Sequence, residues 1–215
     1  MKKLIIFDMD GVLLDSEPLY KAMNLQFFKE LGADITEEEY QSFIGISGTK
    51  MWTYIKEKAN LPQTVGELKE LERELKHKTL KEAELVATPG VIDLLEYLKQ
   101  NGHTIAIASS GLRKNINLIL QKLNMEKYFD LIVSGEQVQN GKPEPDIFLK
   151  VAQHYNRPPE ECIVIEDSRN GVLAAKAAGM YCVGYYNPGS GDQDLNGADI
   201  VVENFGEEQL FEIVK

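Results

Sequence analysis

The stretch Leu4-Ile5-Ile6-Phe7-Asp8-Met9-Asp10-Gly11 decides how the rest of the chain is read. Four consecutive apolar residues stop at an acid, with a second acid two positions on and a glycine behind it. A run that is hydrophobic at every position is expected of a strand buried on both faces, as in a parallel sheet. The same form recurs at Thr104–Ala108, Leu131–Val133, Cys162–Ile165, Tyr181–Gly184 and Ile200–Val202. Helical patterns separate these runs over Val91–Gln100, Leu112–Leu123, Asp146–Tyr155 and Gly171–Ala178. Such alternation predicts right-handed βαβ crossovers and an α/β core built on a doubly wound, Rossmann-like parallel sheet.

One interval breaks the rhythm. Residues 15–87 show helical patterns and no convincing strand. Leu25, Phe28 and Leu31 fall at helical spacing, and Glu67–Glu84 reads as a charged helix with Leu68, Leu71 and Leu75 on one stripe. Pro18 suits the first turn of a helix, with Asp15 and Ser16 as capping candidates. Thr88-Pro89-Gly90 then marks the return to the α/β pattern. The expected organisation is a catalytic core of residues 1–14 and 88–215 with an all-helical cap, 15–87, inserted after the first strand. Trp52 and Tyr54 read as cap packing before pocket lining. Gly45 and Gly48 lack the strand–glycine–helix context of a phosphate loop and read as a cap hinge or turn. Pro188-Gly189-Ser190-Gly191 reads as a flexible loop.

Composition bounds the function. Of the 215 residues 43% are hydrophobic, which is globular and excludes disorder. The 34 acids against 23 bases leave a net charge of −11, and that repels nucleic acid and anionic membrane surfaces. The first apolar run ends at Asp8, shorter than the roughly 7–15 residues of a signal peptide. No window approaches the roughly 20 apolar residues of a membrane span. Cys162 and Cys182 sit in apolar runs and read as buried free thiols, so a reducing, cytoplasmic setting is expected.

Three of the buried runs switch abruptly to reactive side chains: LIIF into Asp8, IAIA into Ser109-Ser110, and CIVI into Glu166-Asp167. In a doubly wound sheet ligands bind beyond the carboxyl ends of the strands, so the three endings are expected to converge. Gathering Asp8, Asp10, Glu166 and Asp167 is costly, since two unit charges about 4 Å apart repel by about 4 kcal/mol at an effective dielectric of about 20. The cluster therefore needs a raised pKa or a bound cation. Three scattered histidines and no cysteine cluster argue against zinc, whereas an all-oxygen site with room for water suits Mg²⁺. Ser109 offers a hydroxyl next to a helix start, a natural anion site. Lys142 lies in Gly141-Lys142-Pro143-Glu144-Pro145, where the prolines stiffen the backbone around it. Taken alone, a lysine is a solvated surface charge. Together, a carboxylate nucleophile, Mg²⁺, a hydroxyl and a lysine are the parts of phosphoryl transfer.

In this order and at these element ends the motifs resemble those of the haloacid dehalogenase superfamily, in its helical-cap phosphatase and β-phosphoglucomutase-like branch. The matching residues are Asp8-Met9-Asp10-Gly11-Val12, then Ser109, then Lys142, then Glu166-Asp167 followed by Ser168-Arg169-Asn170-Gly171. The resemblance covers essentially the whole chain. It implies that Asp8 attacks phosphorus and forms an aspartyl-phosphate, while Asp10 protonates the leaving oxygen and then helps deprotonate the acceptor. It implies Mg²⁺ held by Asp8, the Asp10 backbone carbonyl and Asp167, with Glu166 direct or through water. It further implies that Ser109 and Lys142 stabilise charge on the transferring oxygens, and that Ser109, Ser110, Lys142 and Lys76 are the expected substrate-binding residues.

The departures set the choice within the branch. Phosphomutases of this kind carry an arginine for the distal phosphate directly after a Gly-apolar-Ser triplet; here Gly45-Ile46-Ser47 is followed by Gly48. They also carry a cap histidine where this chain has Tyr20, and a cap lysine matched by Lys76 or Lys78. Without the arginine the expectation is a Mg²⁺-dependent phosphatase acting on a small phosphorylated metabolite, such as a sugar phosphate, as a monomer or weak homodimer. The alternatives are a sugar phosphomutase, an inorganic pyrophosphatase and, most remotely, a phospho-receiver module.

Overall fold

The computed structural model describes residues 2–43, 46–188 and 193–215. Gly45 of the cap triplet and Gly189-Ser190-Gly191 of the C-terminal loop lie outside the described residues. The chain divides into two compact units, Met1–Asp15 with Leu85–Lys215, and Ser16–Glu84.

In the first unit the apolar runs form β1 (Leu4–Phe7), β2 (Thr104–Ser109), β3 (Leu131–Ser134), β4 (Cys162–Glu166), β5 (Tyr181–Tyr185) and β6 (Ile200–Val202). They pair in parallel in the order β3-β2-β1-β4-β5-β6, so strand order reverses between β1 and β4. β1 and β4 are buried at every position, which is why neither shows alternation in the sequence. Successive side chains point to opposite faces. Leu4, Ile6, Ala106, Ala108 and Val164 meet Ile147, Phe148 and Val151 in one core cluster. Each fully buried aliphatic or aromatic side chain contributes about 1.5–3 kcal/mol, so these layers hold the strand ends in place.

The second unit comprises α1 (Glu17–Glu30), α2 (Glu37–Ser42), α3 (Gly48–Ala59) and α4 (Val65–Glu82). Capping boxes start two of them: Thr36 with Glu39, and Thr64 with Glu67. Pro18 sits in the first turn of α1 as expected, whereas the Ser16 side chain makes no capping hydrogen bond. The unit has its own core, in which Trp52 packs edge-on against Phe27 and Phe28 at 5.7 and 5.4 Å and donates from Nε1 to Glu72 at 2.6 Å. Tyr54 is not core packing. It is exposed, and its hydroxyl donates to Glu39 at 2.8 Å. Leu71 also departs from the expected stripe and is exposed, while Leu68 and Leu80 carry the buried face of α4. Among the described residues no helix is long and apolar enough to cross a membrane.

The remaining helices, α5 (Val91–Gln100), α6 (Arg113–Lys122), α7 (Asp146–His154), α8 (Arg169–Ala177) and α9 (Glu208–Ile213), belong to the first unit. Cys162 and Cys182 are free and buried in β4 and β5, and burial pushes their thiols up to about 11 and about 12. They are inert at neutral pH.

Candidate active site

Asp8 follows β1 directly, and its N–H donates to the Ile165 carbonyl of β4 at 2.9 Å, which extends the ladder by one residue past the strand. Its carboxylate therefore stands at the point where strand order reverses, flanked by the end of β4. Lys142 reaches this point from the loop between β3 and α7. Its ammonium donates to Asp8 Oδ1 at 2.5 Å, to Glu166 Oε1 at 2.5 Å and to the Ala108 carbonyl at 3.2 Å. The Lys142 side chain is 6% exposed, so the solvated-lysine reading does not hold. Three donors on one nitrogen thus join β1, β2 and β4.

Burial dominates the electrostatics. It raises Asp8 from 3.8 to about 7; Lys142 opposes the shift, and Glu166 and Asp10 add to it. Lys142 also loses solvation, but Asp8 and Glu166 outweigh that loss and hold its pKa above the ordinary lysine value. Both oxygens of Glu166 accept hydrogen bonds. Oε1 accepts from Lys142, and Oε2 accepts from the Ser168 backbone N–H at 2.8 Å and its hydroxyl at 3.0 Å. Ser168 caps α8, its oxygen accepting from the Gly171 N–H at 3.1 Å. A Cβ at Gly171 would fall 1.7 Å from Glu166 Oε1, so only glycine lets the helix start this close to the carboxylate.

Asp10 and Asp167 complete the acids. Gly11 holds φ +83°, and a Cβ there would fall 1.9 Å from Asp167 Oδ2. The Asp167 carboxylate therefore fills the notch that Gly11 leaves in the loop after β1. Ser109 ends β2, is 1% exposed, and accepts the Gly111 N–H at 3.1 Å. Ser110 is exposed beside it. Arg113, at the start of α6, donates its guanidinium to the Ile132 carbonyl and its backbone N–H to Glu136 at 2.8 Å. In the helical unit Lys76 lies over the Tyr20 ring, 3.6 Å from its centroid, while Lys78 is exposed.

The donor set can be tested against a divalent cation. Among the described residues no three His, Cys, Asp or Glu side chains converge as a ready-made cage. Mg²⁺ does not need one: it keeps several waters and binds through one or two carboxylates plus substrate phosphate. Asp8, directly after β1, and Asp167, whose carboxylate fills the Gly11 notch in the loop that follows, supply hard oxygen donors of that number. The residues fit the ion.

Two buried side chains near this site went unread in the sequence. Asn187 and Gln193 hydrogen-bond the loops after β1 and β4. The available signal was an asparagine two residues past the end of a buried strand; the loop around it reads only as polar.

The model of the haloacid dehalogenase-like hydrolase family matches residues 5–185. A phosphorylated carbohydrates phosphatase from Thermotoga maritima is 37% identical over 176 residues, covering 82% of this chain and 81% of that protein. Among solved structures, a putative β-phosphoglucomutase from Thermotoga maritima superposes with a TM-score of 0.78 at 34% identity, covering 99% of this chain and 98% of that one. CbbY from Rhodobacter sphaeroides, in complex with xylulose-(1,5)bisphosphate, superposes with a TM-score of 0.84 at 27% identity over 96% of both chains.

Proposed function

The chain belongs to the haloacid dehalogenase-like hydrolase family, and from that premise we propose that it is a Mg²⁺-dependent phosphatase that hydrolyses a small phosphorylated carbohydrate through an aspartyl-phosphate on Asp8. The observation that carries this reading is the buried Asp8–Lys142–Glu166 bridge at the switch point of the sheet. It holds one oxygen of the Asp8 carboxylate while the other accepts no hydrogen bond among the described residues.

Asp8 attacks phosphorus, its oxygen forming the new bond as the bond to the sugar oxygen breaks. Asp10 delivers a proton to that leaving oxygen. It then takes a proton from the water that attacks the aspartyl-phosphate, releasing inorganic phosphate and restoring Asp8. Lys142 and Ser109 stabilise the transferring oxygens, and Ser110 assists at the exposed rim. When bound, Mg²⁺ neutralises phosphate charge and orients the phosphoryl group. Asp8, the Asp10 carbonyl and Asp167 would hold it. Glu166, whose oxygens are both engaged, is assigned to orienting Lys142. Selection of the leaving group is assigned to the helical unit as a cap, with Lys76 as the residue to vary. Buried free thiols support a reducing, cytoplasmic setting.

A phosphate-release screen over sugar phosphates, sugar bisphosphates, other phosphometabolites and pyrophosphate, with and without Mg²⁺, tests the proposal. At least one sugar phosphate is expected to be hydrolysed only with Mg²⁺, and Asp8→Asn should lose about 10⁴-fold or more in kcat. Full turnover by Asp8→Asn would sink the mechanism. Interconversion of glucose 1-phosphate and glucose 6-phosphate without phosphate release would make the protein a mutase, and a preference for pyrophosphate would displace the carbohydrate.

A further inference from the structure

The end of β5 carries two buried amides that the chemistry above does not use. β5 stops at Tyr185, and Asn187 and Gln193 beyond it are 5% and 6% exposed. Asn187 Nδ2 donates to the Gly11 carbonyl at 3.2 Å and, more weakly, to Asp15 Oδ1 at 3.5 Å. Gln193 Nε2 donates to the Asp167 carbonyl at 2.6 Å and to the Tyr185 carbonyl at 3.2 Å. The two are joined, since the Asn187 backbone N–H donates to Gln193 Oε1 at 2.9 Å. One hydrogen-bonded chain therefore runs from Gly11 through Asn187 and Gln193 to Asp167, tying together the loops that leave β1, β5 and β4.

Peptide planarity turns these bonds into constraints on the ligands. The Gly11 N–H donates to the Leu14 carbonyl at 2.8 Å, which aims the Asp10 carbonyl of the same planar, trans peptide the opposite way. The Gly11 carbonyl, on the next peptide, is held by Asn187. Both peptide planes flanking Gly11 are thus pinned. On the other loop Gln193 pins the Asp167 carbonyl while the Asp167 carboxylate rests in the Gly11 notch. The two loops carry Asp8, Asp10 and Asp167, and like charges push them apart. A second cationic side chain besides Lys142 could hold them together, but it would remove more of the negative charge that a cation needs. Amides satisfy the carbonyls and bring no charge.

We propose that Asn187 and Gln193 are positioning residues that hold the Asp10 carbonyl and the Asp167 carboxylate at the spacing Mg²⁺ requires, an inference that rests on the phosphatase reading above. Groups that orient metal ligands in this way typically change metal affinity by about 10–100-fold when removed.

Calorimetric titration of MgCl₂ into wild type, Gln193→Met and Asn187→Ala tests it, with turnover of para-nitrophenyl phosphate followed across Mg²⁺ concentration. Gln193→Met keeps the side-chain bulk and loses both of its N–H donors and its acceptor. Asn187→Ala removes the tie to Gly11 and leaves the backbone bond to Gln193. Each variant is expected to bind Mg²⁺ about 10–100-fold more weakly, to regain turnover as Mg²⁺ is raised, and to keep the KM for the phosphate ester at saturating Mg²⁺. Should Gln193→Met fail to fold, Asn187→Ala carries the same test. Wild type that neither binds nor requires Mg²⁺ defeats the phosphatase reading and this proposal with it. Wild type that does both, with variants binding Mg²⁺ equally well or losing turnover that no Mg²⁺ concentration restores, overturns the positioning role alone.

Discussion

Asp8 shows how burial makes a reactive residue. An aspartate in water is ionised near pH 4, but desolvation lifts this one to about 7 despite the Lys142 ammonium 2.5 Å away. The sign of the consequence follows from proton binding. The folded chain holds the Asp8 proton more tightly than the unfolded chain, so this residue favours folding at low pH. That contribution is lost as pH climbs from about 4 through about 7. In chelator, therefore, the Tm of wild type relative to Asp8→Asn should fall across that window, and adding Mg²⁺ should narrow the gap by favouring the carboxylate. A constant difference across the window would show that Asp8 titrates as an ordinary aspartate. At this scale the sequence was legible wherever a polar residue ended an apolar run: Asp8, Ser109, Glu166 and Asp167 all stand there. It did not reveal what Glu166 touches, because both of its oxygens are claimed by residues at sequence positions 142 and 168.

Elements follow apolar patterning closely, and they depart from it for a backbone reason. β2 and β4 run one residue past the last apolar position, through Ser109 and Glu166, since Ser109 pairs with Ser134 and Glu166 with Gly184. A parallel ladder bonds through peptide groups, so it continues regardless of side-chain polarity. α8 begins at Arg169, ahead of the expected Gly171, because Ser168 supplies a cap that hydrophobic spacing cannot register. Gly171 then lies in the first turn against Glu166, and this juxtaposition yields a prediction. Gly171→Ala improves helix propensity by about 1 kcal/mol, yet its Cβ must displace the Glu166 carboxylate and with it the anchor of Lys142. Phosphatase turnover should drop by about 10²-fold or more with the far-UV circular dichroism retained, since loss of one aligned donor to a transition-state oxygen costs that much. Full activity in this variant would mean that Glu166 does not set the position of Lys142.

At the scale of the whole chain, the two units can be followed separately because Trp52 is the only tryptophan and lies fully buried in the helical one. Its fluorescence reports Ser16–Glu84 alone, while far-UV circular dichroism reports both units. The helical unit is the smaller, and smaller cores bury a lower fraction of their surface. In a urea titration the Trp52 transition should therefore come at lower denaturant than the dichroism midpoint, and Phe28→Ala, which keeps the fluorophore, should remove about 3–5 kcal/mol from that unit. Coincident transitions would mean that the chain unfolds as one cooperative body. The net charge of −11 acquires a local meaning as well, because several of its acids gather at the strand ends around one buried lysine. The sequence by itself determined the sheet, the helical insertion and the reactive residue at each strand end. Those features depend on periodicity and on polarity switches, which are local properties of the chain. Only the tertiary structure decided that Lys142 bridges Asp8 and Glu166, that Gly11 makes room for Asp167, and that Asn187 and Gln193 tie two acidic loops together. Each of those contacts joins residues far apart in the chain, and linear spacing carries no record of which distant groups burial will bring within hydrogen-bond reach.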